Sequence, residues 1–156
     1  LDTTAKIQIH VGGVYGNKPA AIRRFILTYK QLPELIKKRL VVENDDNRFS
    51  VADCLKIQQK TGIPIVFDTL HHECLNNDET MREALVLCLR TWKEKDGIPI
   101  IDYSTQDSEK KKGAHTYHID IENFRSFLTI ADSLVFDIML EIKDKELSAT
   151  EAIKFI

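Results

Sequence analysis

The sequence predicts the α/β class: parallel strands separated by helices, as in a TIM-type (β/α) barrel, here an incomplete barrel of about five βα units. Two observations carry this. Short apolar runs recur as KIQIH, LVVE, IPIVFD, IPIID and FDIMLE, with stretches of helical periodicity between them, the pattern of parallel strands buried on both faces. Each run also breaks off at a potential metal ligand, in turn His10, Glu43, Asp68, Asp102 and Glu141. Parallel α/β sheets carry their chemistry at the carboxyl ends of the strands, so these side chains are expected on one rim.

The elements follow in order. After IHVGG, Lys18 and Pro19 open a helix whose apolar face is Ile22, Phe25, Ile26 and Tyr29, and Pro33 ends it. RLVVENDD is the second strand, with Asp45 expected on the face of Glu43 and Asn44 turned away. Ser50 and Asp53 suggest a capping box for a helix that ends at Thr61-Gly62. IPIVFDTLHHE reads as a strand and its loop, followed by a helix capped by Asn77 or Asp78 and closing near Gly97. IPIIDYS is the fourth strand, 105–116 a polar loop, and Asp120 to Ile130 a helix with Phe124, Phe127 and Leu128 inward. LVFDIMLEIKDKE is the last strand, and Ser148 with Glu151 suggests the cap of a final helix.

A chain of 156 residues with 43% hydrophobic residues can bury one core, so residues 1–156 read as a single domain. It is shorter than the ~250 residues of a closed eight-unit barrel. With no initiator Met and a strand close behind Leu1, the expectation is a C-terminal part of a barrel whose other units precede it. A net charge of -2 advertises no anionic partner, although carboxylates reserved for divalent ions enter that sum as negative while the loaded site would be positive. Lys110, Lys111 and Lys112 form the one basic stretch, a solvated loop within reach of a backbone phosphate. Cys54, Cys74 and Cys88 lack paired spacing, which suggests a reducing compartment without disulfides. No run has the length of a membrane span and no signal-peptide layout opens the chain, so a soluble protein is expected, intracellular and with no membrane partner.

The candidate site is a set of oxygen and nitrogen donors. Glu43 in a buried strand is costly unless paired or metal-bound. Asp68 and His71 form D-x-x-H directly after IPIVF, a spacing that lets a strand-end carboxylate and a loop imidazole reach one ion or two adjacent ones. His72 and Glu73 read as solvent-facing or supporting groups. Glu141 shares its strand face with Asp137 and lies nearer the carboxyl end, and His115 sits in the polar loop. Donors of this kind, without thiolates, suit Mn²⁺, Zn²⁺, Mg²⁺ or Fe²⁺.

In order along the chain, IHVGGVYGNK, ENDD, FDTLHHE, DYSTQ, KKGAHT and DIMLEIKDKE resemble the UV damage endonuclease family, xylose-isomerase-like barrels related to endonuclease IV. The resemblance implies a metal-dependent DNA repair endonuclease that cuts the phosphodiester immediately 5′ of a UV photoproduct in duplex DNA, leaving a 3′-hydroxyl that repair synthesis can extend. It implies two or three divalent ions, manganese first with zinc or magnesium as alternatives. It places metal ligands at His10, Glu43, Asp68, His71, His115 and Glu141, with Asp102 where many relatives carry a histidine in a K-x-H-Y-S context. Glu43 and Glu141 become the candidate bridging, catalytic carboxylates, and Lys143 or Tyr103 a contact to the phosphate. The partner implied is UV-damaged double-stranded DNA, and the location cytoplasmic or nucleoid-associated.

Two other readings remain at this point. A sugar isomerase or epimerase of the same superfamily also sets Glu, Asp and His ligands on a barrel rim, and an inactive metal-binding barrel fragment would keep the fold without turnover. An open partial sheet also exposes strand edges, so self-association is expected.

Overall fold

A computed structural model describes residues 4–156. The strand β1 (Ile7–His10) leads through a glycine turn to α1 (Lys18–Gln31) and the short α2 (Glu34–Lys37); β2 (Leu40–Glu43) precedes α3 (Val51–Thr61), and β3 (Ile65–Asp68) runs straight into α4 (Thr69–Cys74) and α5 (Met81–Leu89). Then follow β4 (Ile100–Tyr103), α6 (Ile121–Ile130), β5 (Asp137–Leu140) and α7 (Glu146–Ala152). All neighbouring strands pair in parallel in the order β1-β2-β3-β4-β5. A doubly wound sheet reverses its strand order at a switch point; this sheet never does, and sequential order is the barrel pattern. The barrel is not closed: among the described residues, β1 and β5 each pair on one side only.

The two faces of the sheet differ as strand alternation demands. Val42, Ile65, Phe67, Ile101 and Tyr103 pack with Cys54, Ile57, Leu85, Phe124 and Phe127 from the helices, forming the main core. The opposite face holds a smaller apolar group, Val41, Val66 and Trp92 with Ile100 against it. One alternation further along β2, β3 and β4 come Glu43, Asp68 and Asp102, all buried. This face therefore has an apolar floor beneath a polar rim. Below the floor, Lys6 lies 5.8 Å over the Trp92 ring and pairs with Asp96 at 3.1 Å, both side chains nearly inaccessible.

Several sequence expectations are corrected by local hydrogen bonding. Ser50 precedes α3 but gives it no side-chain cap, because its hydroxyl donates to Asn77 Oδ1 at 2.6 Å. The cap of α5 is Thr80 in a reciprocal box with Glu83, displacing Asn77 and Asp78. That helix stops at Leu89, since Thr91 and Trp92 turn inward to bond the main chain at Ile65, and only a 3₁₀ turn (Glu94–Asp96) precedes Gly97. Ser148 lies inside α7; its hydroxyl accepts from Ile119 N at 2.9 Å and donates to Asp144. Gly62 and Asp120 bound their helices as expected, and Asn17 caps α1 ahead of Lys18 and Pro19.

Candidate metal centre

The rim is built at the carboxyl ends of the strands. His10 and Glu43 end β1 and β2 as register partners, and Asp68 and Asp102 are partners on β3 and β4. Asp68 is also the cap of α4: Oδ1 accepts from His71 N at 2.6 Å, which seats His71 one turn above the strand end. D-x-x-H is thus a helix-capping geometry in which the second oxygen stays free for the site.

Glu43, Asp68 and His71, all buried, present one donor atom each within 4.8 Å of one another. His10 Nε2 is 3.5 Å from Glu43 Oε2. His71 Nδ1 lies 2.9 Å from Glu43 Oε1 and 3.6 Å from Asp68 Oδ2, while its hydrogen bond goes to the Asn44 carbonyl at 3.0 Å. The ring of His71 stands between those of His10 and His115, at 5.7 and 5.9 Å. His115 Nδ1 is 2.8 Å from the Glu141 carbonyl and 3.7 Å from its Oε2, which joins the loop before α6 to the end of β5. All seven residues expected as metal ligands therefore fall on one rim, with the tight group at Glu43, Asp68 and His71.

Two members were not foreseen. Gln8, two residues before His10 on the same face, donates from Nε2 to Glu43 Oε2 at 2.6 Å and to Asp102 Oδ2 at 2.5 Å. Three strand spacings in a flat sheet come to about 14 Å, so an amide on β1 reaches β4 because the sheet curls around this face. Asn44 is fully buried and hydrogen-bonds the main chain of Asp68, whereas Asp45 accepts from Asn47 N and Phe49 N in a turn of its own. Strand alternation therefore does not extend to Asn44 and Asp45, because β2 ends at Glu43 and Asp45 does not share its face. A polar residue inside an apolar strand was the available signal for Gln8; Asn44 had none beyond its place in ENDD.

Tyr103 points away from the rim, its hydroxyl on Asn123 Oδ1 at 2.8 Å and its ring against Phe124, and offers no phosphate contact. Lys143 lies outside the tight group, half exposed, 3.9 Å from Asp107 Oδ2, to which Lys110 is also bonded at 2.8 Å. His72 is buried against Phe67, while Glu73 is exposed.

The electrostatics are those of a crowded acidic site. Burial pushes the Asp68 carboxyl up to about 7 against the pull of His71. Burial pushes Asp102 up to about 8, helped by the charges of Glu43, Glu141 and Asp68. Burial would lower His71, but Glu43 and Asp68 hold it up at about 9. Glu43 Oε1, Asp68 Oδ2 and Asp102 Oδ1 are buried with no hydrogen bond of good geometry, the first two facing the His71 ring at 2.9 and 3.6 Å. Buried carboxylate oxygens are ordinarily satisfied, and three orphans on one rim beside imidazoles fit a divalent cation that accepts oxygen and nitrogen donors.

Residues 1–154 match the family model described as UV-endonuclease UvdE. A UV DNA damage endonuclease of Clostridium perfringens (strain 13 / Type A) is 43% identical over 155 residues, covering 98% of this chain and 38% of the relative. One of Bacillus cereus (strain 03BB102) is 41% identical over 150 residues, 95% of this chain and 47% of the relative. The crystal structure of SacUVDE superposes with a TM-score of 0.90 at 52% identity, over 96% of this chain and 50% of that one. The chain spans half or less of the length of these proteins.

Proposed function

The chain belongs to the UV-endonuclease UvdE family, and from that membership we propose that it carries the metal centre of a DNA repair endonuclease, hydrolysing the phosphodiester 5′ to UV photoproducts in duplex DNA. The observation that supports this most is the group of Glu43, Asp68 and His71, whose donor atoms lie within 4.8 Å of one another with two of the carboxylate oxygens orphaned. Residues 1–156 act in this reading as one domain.

His10, His71 and His115 supply ring nitrogens, and Glu43, Asp68, Asp102 and Glu141 supply oxygens. Two or three divalent ions, Mn²⁺ first and Zn²⁺ or Mg²⁺ as alternatives, contribute Lewis-acid polarisation of the phosphate and acidification of the attacking water when bound. Glu43 and Glu141, with two carboxylate oxygens each, would be the acidic residues best suited to hold more than one ion. Asp68 spends one oxygen on the start of α4 and keeps the other for the site. Lys143, on the rim beyond Glu141, attracts a backbone phosphate by charge. A photoproduct is weakly stacked and paired, so drawing it out of the duplex costs less than drawing out a normal base. The reading implies a cytoplasmic or nucleoid-associated protein; among the described residues no helix is long and apolar enough to cross a membrane. Among the described residues β1 and β5 each pair on one side only, with Ile7, Val135 and Met139 exposed, which supports self-association.

The test is incubation of the Mn²⁺-loaded protein with an end-labelled duplex carrying one cyclobutane dimer, beside the undamaged duplex. A nick immediately 5′ of the dimer is expected, lost in Glu43→Ala and His71→Ala together with bound metal. Full metal content in both variants would remove the ligand assignment, and turnover of an aldose with no nicking would favour the isomerase class.

A further inference from the structure

The orphaned carboxylate oxygens face one another only because β2 and β3 hold a fixed register where their ladder runs out. The paired residues are Val42 with Ile65 and Glu43 with Val66. Beyond Glu43 the main chain leaves the sheet through the Asp45 turn, so no backbone remains to pair with Asp68. The side chain of Asn44 takes that place: its Oδ1 accepts from Asp68 N at 3.0 Å and its Nδ2 donates to Asp68 O at 3.1 Å. The amide thereby satisfies the two main-chain groups of Asp68 that a continued β2 would pair in the ladder. Both residues are fully buried, so water cannot substitute. The main-chain carbonyl of the same residue takes the Nδ1 bond of His71. Between β3 and β4 the Thr69 hydroxyl bridges Ser104 N and O more loosely, at 3.3 Å each.

We propose that Asn44 is a positioning residue of the metal centre: a side-chain rung that replaces the missing backbone and sets the spacing among Glu43, to which it is bonded in sequence, Asp68 and His71. The inference rests on the metal-centre reading and extends it to a residue that donates nothing to an ion. Outer groups that fix ligands in this way typically govern affinity by about 10–100-fold. Only Asn has this reach and this donor–acceptor pair. Leu has the shape without either bond, and Asp keeps the acceptor and loses the donor.

The test is Mn²⁺ titration of the purified chain, reading free Mn²⁺ by electron paramagnetic resonance, for wild type, Asn44→Leu, Asn44→Asp and the core variant Ile57→Ala, with melting followed by circular dichroism. Asn44→Leu should weaken binding at least tenfold, and Ile57→Ala, although destabilised, should bind as wild type does. Asn44→Asp should also bind more weakly, although its added negative charge alone would attract the ion; this variant decides the question if Asn44→Leu does not fold. Affinity within twofold of wild type in the Asn44 variants, tighter binding by Asn44→Asp, or an equal loss in Ile57→Ala would overturn the inference and leave the metal centre standing. Wild type that binds no Mn²⁺ would overturn both.

Discussion

Gln8 and Asp102 meet across the curled face of the sheet, the amide of the first strand 2.5 Å from the carboxylate of the fourth, and the same nitrogen also serves Glu43. One neutral amide thus ties together two acidic groups on strands that are not neighbours. Replacing Gln8 with Leu leaves both carboxylates short of a bond in a site where Asp102 is fully buried. A loss of about 1–3 kcal/mol in metal-free stability is expected, the cost of leaving a buried acceptor without its partner. Urea denaturation in EDTA measures it, and a midpoint unchanged from wild type would show that the amide bond contributes nothing.

Stability without metal should fall as pH rises. Asp68 at about 7, Asp102 at about 8 and His71 at about 9 all lie above their unfolded values of roughly 3.9 and 6.5. The folded chain therefore holds protons that the unfolded chain has released. The carboxyl contributions are full below about pH 4 and are lost on rising through 7 and 8; that of His71 is full below about 6.5 and is lost through 9. Divalent ions displace these protons, so the stabilisation they confer should run the other way and grow with pH. Melting from pH 5 to 9, in EDTA and in excess Mn²⁺, tests both slopes. A metal-free melting temperature that climbs across this range would contradict the protonation states derived from burial.

Lys143 should act on DNA without acting on metal. Converting it to Ala leaves Mn²⁺ affinity at the wild-type level, weakens binding to damaged and undamaged duplexes by similar factors, and reduces the salt slope by about one phosphate contact. Fluorescence anisotropy from 50 to 200 mM salt gives the slope. An unaltered slope would remove Lys143 from the interface.

At the opposite end, Asp96→Ala strands the Lys6 ammonium, which is held by Asp96, the Lys38 carbonyl and the face of Trp92. Breaking a buried pair on one side costs about 3–5 kcal/mol. Lys6→Met with Asp96→Ala should recover much of that loss, since the apolar pair removes the uncompensated charge. Denaturant midpoints of the single and double variants decide it, and an equal loss in both would mean that the charge was not the cause.

How much of this was legible in the sequence follows from which interactions are local. The strands announced themselves by apolar runs: β1, β2 and β3 end at His10, Glu43 and Asp68, and Asp102 and Glu141 fall within one residue of the ends of β4 and β5, because strand direction fixes that position. Caps whose partners lie three residues on, as for Asp120 and Asn123, were readable in kind. Ser50 was misjudged because its partner, Asn77, is remote in sequence. Gln8 and Asn44 escaped for the same reason: their roles depend on β4 and β3, and alternation does not reach past Glu43, the last residue of β2. Tyr103 lies only one residue past Asp102, and that single step takes it to the helix side.

The floor of Val41, Val66, Ile100 and Trp92 also bears on how fast an ion arrives. Apolar side chains beneath a layer of carboxylates polarise little, so the field of those charges is expelled toward the water above the strand ends and narrowed there. Above the pH at which Asp68 and Asp102 give up their protons, a cation drifting past is drawn down one axis, and capture should quicken at low ionic strength and slow as salt screens the approach. The same insulation that makes the bare acids expensive to ionise thus makes the site a fast trap for the ion that relieves them.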